Sequence, residues 1–451
     1  MSTRAPLLTL NPTEASLVKH LDDFARHQTP AVECRIAGGW VRDKLLSLPS
    51  NDLDIALSIS SGHSFAVAFV EFLKGKNVPV GSVGRVAANP EQSKHLETGT
   101  TTIMGLGCDF VGLRCETYAD SRIPSRVELG TPLEDASRRD LTINALFYNV
   151  HTNQVEDFTK LGLLDLANRI ARTPLPPRQT FDDDPLRVLR CIRFASRFNL
   201  TIEDDVMDAM RDPEVKAALR TKVSKERIGI EVSKMMRKSP LHALTLIDVL
   251  DLHASIFICG ADPPRHDAII TAQILQKVLE QSSGDEVLWF AAATSPFRGA
   301  VIKEKKNASA VSVVLGDGLK LSSEVRDSVS RLFNAASILN PNATGRSEIG
   351  TVLQLDTVRP WTRSIVWATV MNILPIWKGQ WDTEAQQIHE RFRSFVELII
   401  QLDLPAAIDC PRLINGKQLQ NIINVEPSRL LSVILGEINV WQLDHPLAGS
   451  E

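Results

Sequence analysis

No two cysteines in this chain stand as a CxxC pair. The six, Cys34, Cys108, Cys115, Cys191, Cys259 and Cys410, are scattered. Neither a zinc site nor a disulfide framework is signalled, and a reducing compartment is the default expectation. Long apolar runs are also missing. The nearest, residues 364–374, is too short to span a bilayer, so a membrane is not expected as a partner. There is no internal repeat. Strong charge of either sign is absent: the formal net charge is -4. That neither demands nor forbids nucleic acid, because a phosphate backbone needs only a local basic face. The first thirteen residues hold Arg4 and no acid, a faint transit-peptide composition. The cytoplasm is therefore expected, with mitochondrion and nucleus also open.

What is present is an ordinary globular composition, 43% hydrophobic and 23% charged over 451 residues, enough for two to four domains. Residues 1–29 read as a helical lead-in, with Val18, Leu21 and Phe24 at helical spacing. From Val32 to about Val150 short strands are broken by Gly, Pro and Asn; "DLDIALSI", "CDFVGLRCETY" and "LTINALFYNV" are the clearest. From Thr180 onward helical periodicity dominates. The expected fold is α+β: a head with a mixed sheet and helices over 1–150, a helical neck over 151–240, a helical body over 241–380 and a helical tail over 381–451.

In "DLDIALSI", Asp52 and Asp54 are two apart, which on a strand puts both carboxylates on one face and turns Leu53 and Ile55 to the other. Adjacent carboxylates repel unless cations lie between them, and hard oxygen ligands beside a phosphate suit Mg²⁺. Two ions are expected, held by Asp52 and Asp54, in the arrangement that activates a hydroxyl and steadies a leaving pyrophosphate. Asp109, in "GCDFVGLR", is the candidate third carboxylate. A lone DxD is more often a strand-end turn, but this one follows "AGGWVRD". There Gly38 and Gly39 would let the backbone approach a phosphate, the helix start offers free N–H groups, and Arg42 adds a fork of donors.

Farther on, "FDDDPLRVLRCIRF" carries an Asp-Pro helix start, with Asp184 as N-cap and Pro185 at the first helical position. Arg187, Arg190 and Arg193 recur every three residues along one stripe of that helix. Buried arginines are costly unless they meet anions.

The GGxVRD…DxD spacing resembles that of the tRNA nucleotidyltransferases, or CCA-adding enzymes, of the polymerase-β-like superfamily. The likeness is to the class II branch shared by bacteria and eukaryotes. "NPEQSKHLETGTTTIMG" and "EDASRRDLTINALFYN" resemble fungal members in particular. The resemblance implies further roles. Gly38, Gly39, Arg42 and Asp43 belong to the nucleotide-binding turn. In "RRDLTINAL", Arg139 grips phosphate while Asp140 and Asn144 reach the ribose. Asp120, Arg122 and Pro124 stand in the D-x-R-x-P positions of a mobile loop. Asp184 and Arg187 hydrogen-bond the incoming base in place of a nucleic-acid template. Asp183, where the family has Glu, supports the arginine, and Arg190 and Arg193 face phosphate or orient the pair.

A carboxylate accepts and a guanidinium donates, so cytosine and adenine fit such a pair, whereas uracil and guanine turn a carbonyl toward the carboxylate. Glu226 and Arg227 are expected to brace the neck. Beyond Pro240 the likeness is only general; Lys417 and Arg429, in a tail segment with Ser428 where glycine is usual, are the candidate RNA contacts.

The implied activity is template-independent addition of CCA to the tRNA 3′ end from CTP and ATP, with tRNA as partner and a monomer or homodimer as assembly. The alternatives are a split-activity member adding only CC or only A, a poly(A) polymerase, and a non-catalytic RNA-binding protein on the same scaffold.

Overall fold

The computed structural model describes residues 8–86, 97–117, 126–260, 267–280, 285–424 and 429–445. Asp120, Arg122, Pro124 and Ser428 lie outside them, as does most of "NPEQSKHLETG". Two compact units emerge: Met1–Val232 with Leu250–Ser255, and Ser233–Val249 with Ile256–Glu451.

The first unit opens with α1 (Pro12–Arg26). Asn11 and Glu14 form a reciprocal capping box at its start, with bonds of 2.8 and 2.9 Å. Strand β1 (Cys34–Ala37) runs into α2 (Gly39–Leu45), and β2 (Asp52–Leu57) into α3 (Gly62–Gly75). Then come β3 (Gly84–Val86), β4 (Thr98–Ile103), β5 (Leu106–Gly112), and the ribbon of β6 (Arg114–Thr117) and β7 (Arg126–Leu129). A short α4 (Pro132–Ser137) precedes β8 (Phe147–Asn149) and β9 (Gln154–Glu156). The main sheet has seven strands in the order β3-β4-β5-β2-β1-β8-β9. Only β2 and β5 pair in parallel; the other neighbours are antiparallel, so the sheet is mixed.

The strand expected over "LTINALFYNV" starts late. Thr142–Asn144 make a 3₁₀ turn and pairing begins at Phe147. Asp140 explains the delay: Oδ1 accepts the Leu141 N–H at 2.8 Å and the Asn144 amide at 2.9 Å, closing a turn that competes with the ladder.

Helices α5 (Gly162–Asn168), α6 (Pro177–Asp183), α7 (Leu186–Phe198), α8 (Asp204–Arg211), α9 (Pro213–Lys222) and α10 (Lys225–Lys238) follow, as the 3.6 periodicity requires. The second unit is almost wholly helical. It centres on buried residues such as Leu353, Phe392, Phe395 and Ile399, and includes one two-strand ribbon, Val301–Ile302 with Ala308–Ser309. No helix among the described residues is long and apolar enough to cross a membrane.

The head's core lies beneath the sheet. Phe69 is fully buried, with ring centroids of Phe24, Phe65 and Phe110 at 5.3, 6.3 and 6.0 Å. Phe69→Ala should cost about 3–5 kcal/mol in urea denaturation. A loss below about 1 kcal/mol would show that this cluster does not hold the head together.

Candidate active site

Strand β2 alternates as its sequence requires. Leu53 and Ile55 are buried, while Asp52 and Asp54 open on the other face. The parallel ladder then sets Asp54 directly opposite Asp109, and Asp52 opposite Gly107. Three carboxylates thus share one face at the junction of two strands. They line a cleft of about 460 Å³, whose far wall is Gly81, Ser82, Gly84 and Thr100–Thr102. Each is exposed to solvent through the cleft. Burial raises the Asp54 pKa; Arg139 and Arg114 oppose the shift and Asp52 adds to it. Burial also raises that of Asp109, joined by the charges of Asp54 and Asp52. Among the described residues no three His, Cys, Asp or Glu side chains converge on one ligand-distance point. The donor set is all hard oxygen, and its repulsion is relieved by a hard cation, so these residues fit magnesium.

Beside the carboxylates, β1 ends at Gly38. Its φ of +71° is a left-handed conformation that favours glycine, and a Cβ there would lie 2.6 Å from Arg139 Nη1. The turn therefore admits the Arg139 guanidinium against the backbone. Arg139 is held by Asp135 Oδ2 at 2.8 and 3.2 Å, and it donates to the Asn144 carbonyl at 3.2 Å.

Arg42 behaves differently from a free phosphate fork. It is 4% exposed. Nε and Nη2 donate to Asp43 Oδ1 at 2.8 and 2.6 Å, and Nη1 donates to Asn144 Oδ1. Its face lies 5.0 and 4.5 Å from the Phe194 and Phe198 ring centroids. Asn144 passes the contact on to Asp140, whose Oδ2 accepts from Arg190 Nε and Nη2, both at 2.7 Å. A chain of four buried side chains, Asp43–Arg42–Asn144–Asp140, ending at the half-exposed Arg190, therefore ties the glycine turn to helix α7. Burial alone would raise the Asp140 pKa, but Arg190, Asn144 and the Leu141 N–H bring it down to about 2.

The arginine stripe of α7 meets anions and carbonyls of the protein itself. Arg187 donates to the carbonyls of Thr180 at 3.2 Å and Arg138 at 2.6 Å, with Asp183 at 4.0 Å. Arg193 is buried against Glu231 at 2.5 Å. Helix α7 starts one residue later than the Asp-Pro step implied, with Pro185 rather than Asp184 at the N-cap; Asp184 Oδ1 accepts the Leu186 N–H at 3.2 Å, and its other oxygen takes Arg227 Nη2 of α10 at 2.8 Å. Asp184 and Arg187 thus sit together at the head of α7 with separate partners. Burial raises the Asp183 pKa, against the pull of Arg187.

Arg114 is the residue that sequence reading passed over: a single arginine in a strand carries no motif signal. Lys417 and Arg429 are exposed in the second unit. They lie on Gly416–Ile423 and Arg429–Asp444, two helices that pack together.

Carboxylates on paired strands beside a glycine turn and an arginine define a nucleotidyltransferase head of the polymerase-β-like superfamily, and the Poly A polymerase head domain family matches residues 34–172. The mitochondrial CCA tRNA nucleotidyltransferase of Saccharomyces cerevisiae is 35% identical, over 98% of this chain and 92% of its own. The tRNA nucleotidyltransferase cca1 of Schizosaccharomyces pombe is 33% identical, over 100% and 97%. The chain belongs to the class II tRNA nucleotidyltransferases, the CCA-adding enzymes. The likeness to these fungal relatives extends well past Pro240, farther than the motifs alone indicated. The fold agrees with that of the Thermotoga maritima CCA-adding enzyme complexed with tRNA, at a TM-score of 0.63 and 20% identity, covering 97% of this chain and 92% of that one.

The Asp140 network carries a pH signature. Its folded pKa of about 2 lies below the ordinary 3.8. Its stabilisation is therefore complete above the unfolded value and is lost as pH falls through about 2. Asp140→Asn should cost about 2 kcal/mol at pH 7, and the deficit should narrow below pH 4. A deficit that stays constant with pH in urea melts would contradict the pairing.

Proposed function

We propose that this chain adds CCA to the 3′ end of tRNA from CTP and ATP, without a nucleic-acid template, releasing pyrophosphate. The observation that carries this reading is the face shared by Asp52, Asp54 and Asp109, beside the Gly38 turn and Arg139. Asp52 and Asp54, with Asp109 assisting, would hold two magnesium ions, which when bound make a hydroxyl easier to deprotonate and offset charge on a leaving pyrophosphate. The backbone at Gly38 and Gly39, with Arg139, holds the triphosphate. The tRNA 3′ hydroxyl attacks the α-phosphate in line. Asp140 and Asn144 shape the ribose side of the site while Arg42 and Asp43 fasten it from below.

Base choice falls to Asp184 and Arg187, at the start of α7. Asp184 supplies an acceptor for the amino group of C or A, and Arg187 supplies donors. Asp183, Arg190, Arg193 and Arg227 hold that pair in place. Asp120 and Arg122, in the D-x-R-x-P positions of the sequence, would assist the head, and Lys417 and Arg429 contact tRNA phosphate in the tail. The head carries the chemistry, the neck chooses the base, and body and tail bind tRNA. The names of the fungal relatives include mitochondrial enzymes, which supports work in that compartment as well as in the cytoplasm.

Asp52→Asn or Asp54→Asn should abolish incorporation of both C and A while tRNA affinity stays within about threefold, since phosphates and shape carry RNA binding. Near-wild-type turnover in Mg²⁺ would remove the metal assignment. Asp184→Ala should raise UTP and GTP incorporation relative to CTP and ATP, and Arg187→Ala should lose discrimination more than triphosphate affinity. If Asp184 serves only to accept the first N–H of α7, its loss lowers Tm by an amount matching about 1 kcal/mol and leaves kcat/KM ratios for the four triphosphates unchanged.

A further inference from the structure

Arg114 opens β6, two residues beyond the end of the strand that carries Asp109. Its backbone is fixed on two sides. The N–H donates to Asp135 Oδ1 at 3.1 Å. Gly130 packs so closely that a Cβ there would meet the Arg114 carbonyl carbon at 2.7 Å. The side chain is not satisfied in the same way. Nε is buried with no hydrogen-bond partner. The two acids that act on it, Glu116 and Asp135, are bound elsewhere. Glu116 pairs with Arg138 at 3.3 Å, and Asp135 holds Arg138 at 2.5 Å and Arg139 at 2.8 Å.

Among the described residues, the bonds of Glu116 and Asp135 thus go to Arg138 and Arg139, and neither carboxylate accepts from Arg114 Nε. Burial, and then the Arg138 charge, weigh against the ionised form of Arg114. A fork kept charged in such a place needs an anion. Its neighbourhood says where that anion belongs: the Asp135 carboxylate that accepts the Arg114 N–H also holds Arg139 at 2.8 Å, and Arg139 lies against the Gly38 turn beside the carboxylate face. The unpartnered Nε thus belongs to a side chain that follows directly on the strand carrying Asp109 and shares Asp135 with Arg139.

We propose that Arg114 grips a phosphate oxygen of one of the reacting partners, forming with Arg139 a cationic wall beside Asp54. The inference rests on the nucleotidyl-transfer reading above and adds to it a binding residue. The phosphate has two sources, the nucleoside triphosphate and the 3′-terminal phosphodiester of the tRNA. Both offer the same charged oxygens to the same fork.

The test uses the full chain with Arg114→Gln, which removes the charge, and Arg114→Lys, which keeps the charge and loses the fork. Single-C addition is measured on tRNA ending at the discriminator base, varying CTP at saturating tRNA and the reverse. Equilibrium binding of inorganic tripolyphosphate and of tRNA is measured beside it, with Tm. Arg114→Gln should raise one KM by about 10- to 100-fold, the worth of a charged hydrogen-bonded contact, with Arg114→Lys in between. A rise in the CTP KM with weaker tripolyphosphate binding assigns the triphosphate. A rise in the tRNA KM with weaker tRNA binding assigns the primer.

Both KM values within twofold of wild type would overturn the proposal, and a drop confined to Tm would leave Arg114 as a strand brace. If Arg114→Gln does not fold, Arg114→Lys decides, with a threefold rise in either KM as the threshold. A wild-type chain that adds no C at all would sink the activity reading. The tripolyphosphate and tRNA binding of the variants would then still judge Arg114 by itself.

Discussion

Like charges on neighbouring strands must be offset, and that requirement organises the head of this protein. The β2–β5 register puts Asp54 opposite Asp109 with Asp52 one step along. All three open on the cleft, yet partial burial still raises the pKa of Asp54 and Asp109. The compensation comes from two directions. Protein cations, Arg139 and Arg114, stand on one side. Hard metal ions would supply the rest on the cleft side. The Gly38 conformation is part of the same arrangement, since any side chain there would push the Arg139 guanidinium away.

A second consequence runs from the head into the neck. Asp140 and Asn144, the residues assigned to the ribose, also form the middle of the chain of side chains from Asp43 through Arg42 to Arg190. In a low-dielectric interior such hydrogen bonds reinforce one another, and an unpaired member is heavily penalised. Site geometry and the seating of α7 are therefore set by the same side chains. Asp184 repeats the pattern by accepting the first N–H of α7 while tied to Arg227 of α10. The pair proposed to read the base thus stands at the start of a helix that is tied to the glycine turn through Asp140 and Arg190.

The period-2 pattern of "DLDIALSI" made β2 and its carboxylate face legible, and the Gly-Gly step announced the turn. The Asp-Pro step marked the start of α7 to within a residue. Other features were not legible because they depend on long-range pairing. The stripe of Arg187, Arg190 and Arg193 told that anions or acceptors were needed, but not that Asp140 and Glu231 were among them. Arg42 has the composition of an exposed phosphate fork, and only the approach of Phe194 and Phe198 shows it buried. The 3₁₀ turn at Thr142–Asn144 lost to a strand reading because the Asp140 side chain, not backbone propensity, decides it. Arg114 became visible only when its acidic neighbours were seen bonded to other arginines.

The central claim, that one site builds the whole CCA end with the protein as its template, is tested most directly by product length. A tRNA ending at the discriminator base is incubated with the purified chain and CTP alone, ATP alone, or both. The account predicts two added residues with CTP alone, none with ATP alone, and three with both. A ladder that halts at two with both nucleotides present, addition of A only to tRNA already ending in CC, or an extended run of A would contradict it.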